Sequence, residues 1–329
     1  MNQQNQIQYA EHDAERMIRM GAVEGTRPRA RLWAALYALA VGVPLAGIAV
    51  FLVLALKHRL PVYAEGAFIT FFITLLPLYY IGSPLRSAMG DYREAYRQNY
   101  LPFALKSVFT ELDLRAGSGI SWGTVADTNM MYPGQFLESQ SVIRGQYQAI
   151  PFEQSEIQTK ISVRRHYKSG VRYDDKTIFR GQWTIVSLNG RYAPELQIIQ
   201  RGFRNTKHRL SFLARYTIGR RVLLKDLGFD LLFRVYAGDR DDADAVLTPE
   251  VRKRILNLTL RTRGRLMLCF VDGELHIAAQ IRRKAFSPPC VFLPFRDERA
   301  VASVQREITP YIQLIDELRR DNNLVKRGI

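Results

Sequence analysis

The chain has 329 residues, a net charge of +16 at pH 7 and only two cysteines. That length supports a sizeable core in one or two folded units, and two cysteines exclude a disulfide-stapled scaffold. The charge favours anionic surfaces, either lipid headgroups or nucleic acid, and says nothing about fold.

A mean hydropathy of −0.14 would suit a soluble protein. The average hides a segregation, because nearly all long apolar runs lie between Arg31 and Arg86. Residues 1–83 carry a balance of +2, so the remaining +14 belongs to residues 84–329. Residues 1–30 read as a polar segment with a short helix around Tyr9 to Met20, too polar for a secretory signal peptide. Leu32 to Leu56 is then 25 residues without a charge. At ~1.5 Å per residue it exceeds the ~30 Å hydrocarbon core and can span with some tilt. Gly66 to Leu85 is a second uncharged run, of 20 residues. Pro44 and Pro77 inside the runs are tolerated in membrane helices, and Trp33, Tyr37, Tyr79 and Tyr80 near the ends suit interfacial belts. The expectation is a transmembrane hairpin over residues 31–85, with spans 32–56 and 66–85.

The connection Lys57 to Glu65 is short, so both termini fall on one side. Arg16, Arg19, Arg27, Arg29 and Arg31 precede the first span, and Arg86, Arg93, Arg97 and Lys106 follow the second. The intervening loop offers only Lys57 and Arg59, so the positive-inside bias places both termini in the cytoplasm of a multi-pass inner (plasma) membrane protein.

Residues 86–329 read as a basic cytoplasmic domain. Met89, Tyr92, Tyr96, Tyr100 and Phe103 recur at helical spacing, which predicts a helix over 85–112 with a bend at Pro102. Residues 120–140 are weakly patterned, with room for a short helix. From Ser141 the pattern turns to period two, and strands are predicted near 141–147, 156–167, 177–188 and 195–201. Asn189-Gly190 between the last two is a hairpin signal. Residues 225–238 contain a further strand, Leu231 to Tyr236. Thr248-Pro249-Glu250 opens a helix to Leu260, with a capping residue and a first-turn proline. Arg265–Val271 and Glu274–Ile281 form a second hairpin across Asp272-Gly273, and Glu298 to Arg320 closes the chain as an amphipathic helix bent at Pro310. The fold class is α+β: the hairpin of spans, then an antiparallel sheet with flanking helices.

Phe229-x-x-x-Phe233-x-Val235-Tyr236, followed by Asp239, Asp241, Ala243, Leu247-Thr248-Pro249 and Arg254, resembles a bacterial membrane-protein family. That family is known as domain of unknown function thirty-one thirty-seven. Gly145-x-Tyr147 and Ile178-Phe179-Arg180-Gly181 fit the same pattern, and the likeness covers roughly residues 85–300. It implies a bacterial inner-membrane protein with two preceding spans, and no catalytic residue to carry over. The basic stretch 201–225 is richer in arginine than the family pattern leads one to expect.

Chemistry is sparse. Asp239 to Asp244 holds four carboxylates, but Ala243 replaces a ligand position and no glycine follows, so the calcium-loop template fails. A solvated turn that caps a helix is the better reading, and no metal site is expected. Arg201, Arg204, Lys207, Arg209, Arg215, Arg220 and Arg221, with Lys225 and the rings of Phe203, Phe212 and Tyr216, form a stretch without acid. The plain reading is a solvated loop in a basic protein; as a functional surface the mixture suits anionic headgroups at an interface, and also RNA, and in a membrane-tethered domain lipid is favoured over nucleic acid. Arg261-x-Arg263-x-Arg265 and Arg282-Arg283-Lys284 flank the 265–281 hairpin, which allows both to lie near one end of it, with Arg164-Arg165-His166 a smaller cluster; a solvated sheet edge is the better account of them. The histidines show no metal spacing, and Walker A, Gly-x-Ser-x-Gly and complete dinucleotide patterns are missing. Cys269, in an apolar run, reads as a small buried hydrophobe. The expectation is a non-enzymatic membrane-anchored binding or scaffold protein without a cofactor, partnered by the bilayer, anionic headgroups or another protein. The alternatives are an enzyme with a dispersed site at the membrane surface, and a nucleic-acid tether.

Overall fold

The computed structural model describes residues 3–58, 61–106, 108–115, 119–167, 170–188, 195–203, 219–262, 264–281 and 286–320. The chain divides into two compact units: residues 1–104 with 287–302, and residues 105–286 with 303–329.

The first unit is helical. Helix α1 runs Gln3–His58 and α2 runs Pro61–Ala95. The short helix expected near Tyr9 is therefore the start of one continuous helix of 56 residues. A Cβ on Gly47 would stand 3.6 Å from Thr70 Cγ2, and one on Gly66 would stand 3.2 Å from the Phe51 ring. Arg29 pairs with Asp91 at 3.6 Å, and Arg19 Nη1 donates to the Asn99 carbonyl at 3.0 Å. Each step back along α1 meets a step forward along α2, so the helices pack antiparallel, with glycines where they approach closely. Among the described residues one helix, α1 over Ala14–Lys57, is long and apolar enough to cross a membrane, and its most apolar stretch is uncovered.

After α2 the helix widens into a π-turn, Tyr96–Tyr100, in which the Leu101 amide donates to the Tyr96 carbonyl. Pro102 follows immediately and offers no amide, so a regular ladder cannot cross this point. Helix α3 is only Leu101–Lys106, and residues 110–112, expected to be helical, open strand β1 (Thr110–Arg115). Residues 287–302 strap this unit together. Tyr92 donates its hydroxyl to the Pro289 carbonyl at 3.1 Å, and Tyr100 to the Asp297 carbonyl at 3.1 Å and to its carboxylate. The Asp297 carboxylate also meets Arg16 at 2.6 Å. Arg27 Nε donates to the Val291 carbonyl at 3.1 Å, and Phe295 stands edge-on to Tyr100 at 4.9 Å. Burial pushes the Tyr92 phenol up to about 12, while burial and the bond to Asp297 raise that of Tyr100.

The second unit is a sheet covered on both faces. After α4 (Trp122–Asp127) come β2 (Phe136–Tyr147), β3 (Ile150–Tyr167), β4 (Gly170–Ser187) and β5 (Leu196–Gln200). Then follow β6 (Arg220–Val222), α5 (Leu227–Leu232), β7 (Phe233–Ala237), α6 (Arg240–Val246) and α7 (Pro249–Thr262). The chain continues through β8 (Arg265–Val271), β9 (Glu274–Gln280) and α8 (Asp297–Arg320). Nine strands among the described residues form one antiparallel sheet in the order β1-β2-β3-β4-β9-β8-β5-β7-β6.

The β8–β9 hairpin turns at Asp272 and Gly273, both with positive φ (51° and 74°), the conformation this pair favours. The Asn189-Gly190 hairpin fails: residues 189–194 lie outside the described residues, but β4 pairs with β9, and β5 with β7 and β8. The apolar β8–β9 pair takes the central place instead, where both sheet faces are covered. Leu231 and Leu232, expected in a strand, end α5, because Asp226 caps the preceding turn by accepting from the Phe229 amide at 3.1 Å.

Strand alternation sorts the two faces. One carries Ile157, Phe179, Trp183, Met267, Cys269 and Ala278, covered by Ile120, Val125, Met130 and Met131. The other carries Gln182, Thr184, Leu266, Leu268 and Ile277, and there Tyr311 of α8 donates to Gln182 at 3.3 Å. Arg254 of α7 pairs with Glu317 of α8 at 3.0 Å. Trp183, fully buried, donates from Nε1 to His276 Nδ1 at 3.3 Å, and His276 Nε2 meets Glu274 at 3.1 Å. These bonds fix the ring's tautomer and hold the Glu274 carboxyl below its ordinary range.

Gly181 sits where β9 joins β4; a Cβ there would lie 1.9 Å from the Ala279 carbonyl oxygen. Backbone cannot retreat as a flexible side chain can. Gly181→Ala should cost at least the ~1–3 kcal/mol of an overpacked core, read as a lower denaturation midpoint; an unchanged midpoint would show that β9 yields. Trp183→Ala should cost about 3–5 kcal/mol by the same measurement.

Candidate functional site

Of the basic stretch, Arg204, Lys207, Arg209 and Arg215 lie outside the described residues, as do Phe212 and Tyr216. Arg201, Arg220 and Arg221 are exposed. Arg220 and Arg221 lie on β6, the three-residue edge of the sheet, opposite Ala237 and Tyr236. Arg201 donates from Nη2 to the Asp230 carbonyl at 3.2 Å, and its own amide donates to the Leu232 carbonyl at 2.8 Å, which brings the end of β5 against α5. Phe203 is no surface ring: it is buried and stacked on Phe179 at 6.0 Å between centroids.

In its place the structure exposes leucines. Residues 221–225 alternate, with Val222 and Leu224 inward and Arg221, Leu223 and Lys225 outward. Leu223 is 58%, Leu227 83% and Leu231 66% exposed. Leu227 and Leu231 share one face of α5 by their spacing of four. Three uncovered leucines therefore stand among Arg201, Arg220, Arg221 and Lys225. The signal was present in the alternation, but reading Leu231 as strand concealed it.

A second concavity lies wholly within the sheet unit. It is a cavity of about 1000 Å³ between the end of α7, the open end of the β8–β9 hairpin and α8. Arg261 and Arg265 line it from one side and Arg306 and Glu307 from the other. Arg265 pairs with Gln280 across the hairpin, so both hairpin ends reach the same place. Arg263 and Arg282–Lys284 lie outside the described residues. The Glu307 side chain is accessible along the cavity, and its carboxylate accepts from the Phe286 amide at 2.7 Å. The surrounding protein still disfavours the charged form and holds this carboxyl above its ordinary range. Tyr311, buried beside it, is raised by burial as well.

The acidic turn folds as a cap. Asp239 accepts from the Asp242 amide at 2.8 Å and Arg240 pairs with Asp244 at 3.1 Å. Among the described residues no group of His, Cys, Asp and Glu is placed to hold a metal. Cys269 is buried and Cys290 exposed, both as free thiols. Arg164 and Arg165 lie on the β3 stretch that pairs with the start of β4, and Arg165 meets Asp174 at 3.4 Å.

The class is thus an α+β protein with an antiparallel sheet and one long apolar N-terminal helix. Residues 177–320 match the model of the family described as "Protein of unknown function (DUF3137)", the family that the residues resemble. No curated protein and no solved structure matches the chain. The residues that carry the resemblance have folding roles. Phe229 and Phe233 stack at 4.6 Å, Ala243 is buried, Asp239 caps α6, and Arg254 holds Glu317.

A carboxyl raised in the folded state binds its proton more tightly there than in the unfolded chain, so its contribution to stability falls as pH rises above ~4.5. Glu307→Gln should therefore raise the melting temperature near pH 7, and the gap should close toward pH 4. An equal gap at both pH values would remove Glu307 titration from the account.

Proposed function

We propose that the protein is a membrane-anchored binding or scaffold protein. In this reading α1 and α2 cross a bacterial inner membrane as a hairpin over spans 32–56 and 66–85. Both termini and the sheet unit are cytoplasmic, and the basic leucine-bearing face meets anionic headgroups. The observation that carries the anchor is uncovered apolar surface on both helices. Leu39, Val43, Val50, Val53 and Leu56 of α1 and Phe68, Ile69, Phe71 and Phe72 of α2 are exposed. In water that surface would be an aggregation liability, whereas hydrocarbon satisfies it. The arginines before α1's apolar stretch and after the uncharged part of α2 support the orientation.

The exposed leucines with their cationic rim support the lipid reading of the basic face. Leucine enters the headgroup boundary while arginines bind phosphates above it, each basic residue contributing about 1 kcal/mol. An acidic protein partner at this face is the second reading, since the same arginines would pair with carboxylates.

An alkaline phosphatase reporter fused after Ile329 should be inactive; strong activity would overturn the topology. For the lipid face, an environment-sensitive dye on Leu227→Cys in a Cys290→Ser background should shift to the blue when the protein enters anionic rather than neutral vesicles. Replacing Arg215, Arg220 and Arg221 with Glu should abolish that difference. A dye that never shifts would leave only the protein-partner reading.

A further inference from the structure

The cavity at the end of the β8–β9 hairpin is separate from the leucine-bearing face, and its chemistry goes beyond surface attraction. We propose that it is a binding site for a phosphate-bearing small ligand, either a soluble phosphorylated metabolite or the headgroup of an anionic phospholipid.

Arg261 of α7 and Arg306 of α8 line one concavity, and Arg265 of β8 stands at its rim with its guanidinium beside Gly202. Among the described residues none of the three has an ion-pair partner, whereas other arginines of the same unit, Arg144, Arg240, Arg252 and Arg254, are paired with carboxylates at 3.0–3.1 Å. Like charges along one concavity repel, which a bound anion offsets, and the planar fork of arginine matches phosphate oxygens in pairs.

The floor is polar where a sheet face under a helix is ordinarily aliphatic. Gln182 and Tyr311 line it. Beneath them Gln154 Nε2 donates to Thr184 Oγ1 at 3.1 Å, and the buried Gln154 Oε1 and Glu156 Oε2 have no hydrogen-bond partner among the described residues. Gln182 and Tyr311 supply hydrogen-bonding groups for the uncharged part of a ligand. Leu260, Ile281 and Pro310 add apolar wall, and about 1000 Å³ admits a ligand larger than phosphate alone. Glu307, the carboxylate among the described lining residues, disfavours anions when charged; its raised proton affinity limits that repulsion.

The test is titration calorimetry of the full chain in neutral detergent with inorganic pyrophosphate and, separately, with a short-chain phosphatidic acid. At least one should bind saturably. Arg261→Ser and Arg306→Ser should each weaken that binding about tenfold or more, as expected for loss of a charged hydrogen bond. Arg172→Ser, an exposed arginine on β4, should leave it unchanged. Binding of pyrophosphate alone identifies a soluble ligand, and binding of phosphatidic acid alone identifies a headgroup. Arg→Lys at the same positions, with melting curves, separates lost contacts from lost folding. Absence of saturable binding by either probe, or equal loss in Arg172→Ser, overturns the site. Membrane insertion is read separately, so neither result bears on the anchor.

Discussion

The insertion of the β8–β9 hairpin between β4 and β5 is the constraint on which the sheet unit depends. Without it, β1 to β4 would form one sheet and β5, β7 and β6 another, each with an unpaired inner edge. The hairpin supplies both missing neighbours and is buried along nearly its whole length. Its join to β4 is close enough that position 181 must lack a side chain. The hairpin's turn points one way and its open end the other, so Arg265 and Gln280 lie side by side at the open end.

Both sheet faces carry buried polar groups. One is packed mostly with aromatic and aliphatic side chains, yet Ser155, Thr159 and Gln197 are buried there, and the Trp183–His276–Glu274 chain on it is joined by hydrogen bonds. The other has Gln154, Gln182 and Thr184 beneath Tyr311, and not every oxygen there is partnered among the described residues. Buried polar atoms without partners cost stability.

In the helical unit, tyrosines at spacing four (Tyr92, Tyr96, Tyr100) form a stripe that is apolar in its rings and polar at its tips. Rings pack against one another and against Phe295, and the hydroxyls of Tyr92 and Tyr100 reach backbone carbonyls of the 287–302 strap. This dual use requires neutral phenols, which burial enforces. Where the stripe ends, the π-turn interrupts the regular ladder, α3 carries the chain through Pro102 to Lys106, and β1 follows.

The sequence by itself determined what depends on local pattern. Uncharged runs, a capped proline-led helix at 249–262, the Asp272-Gly273 turn and the amphipathic helix to Arg320 were all legible, because propensity and period act within about ten residues. The family likeness was legible too, through side chains whose work is folding. Only the tertiary structure decided which strands pair: Asn189-Gly190 carries a strong turn signal, yet β4 and β5 are parted by a hairpin some eighty residues further on. It also decided that Phe203 is core, that Leu223, Leu227 and Leu231 are surface, and that Arg261 and Arg306 line one cavity. Exposure and convergence are properties of packing between distant segments, and no short window of sequence contains both partners.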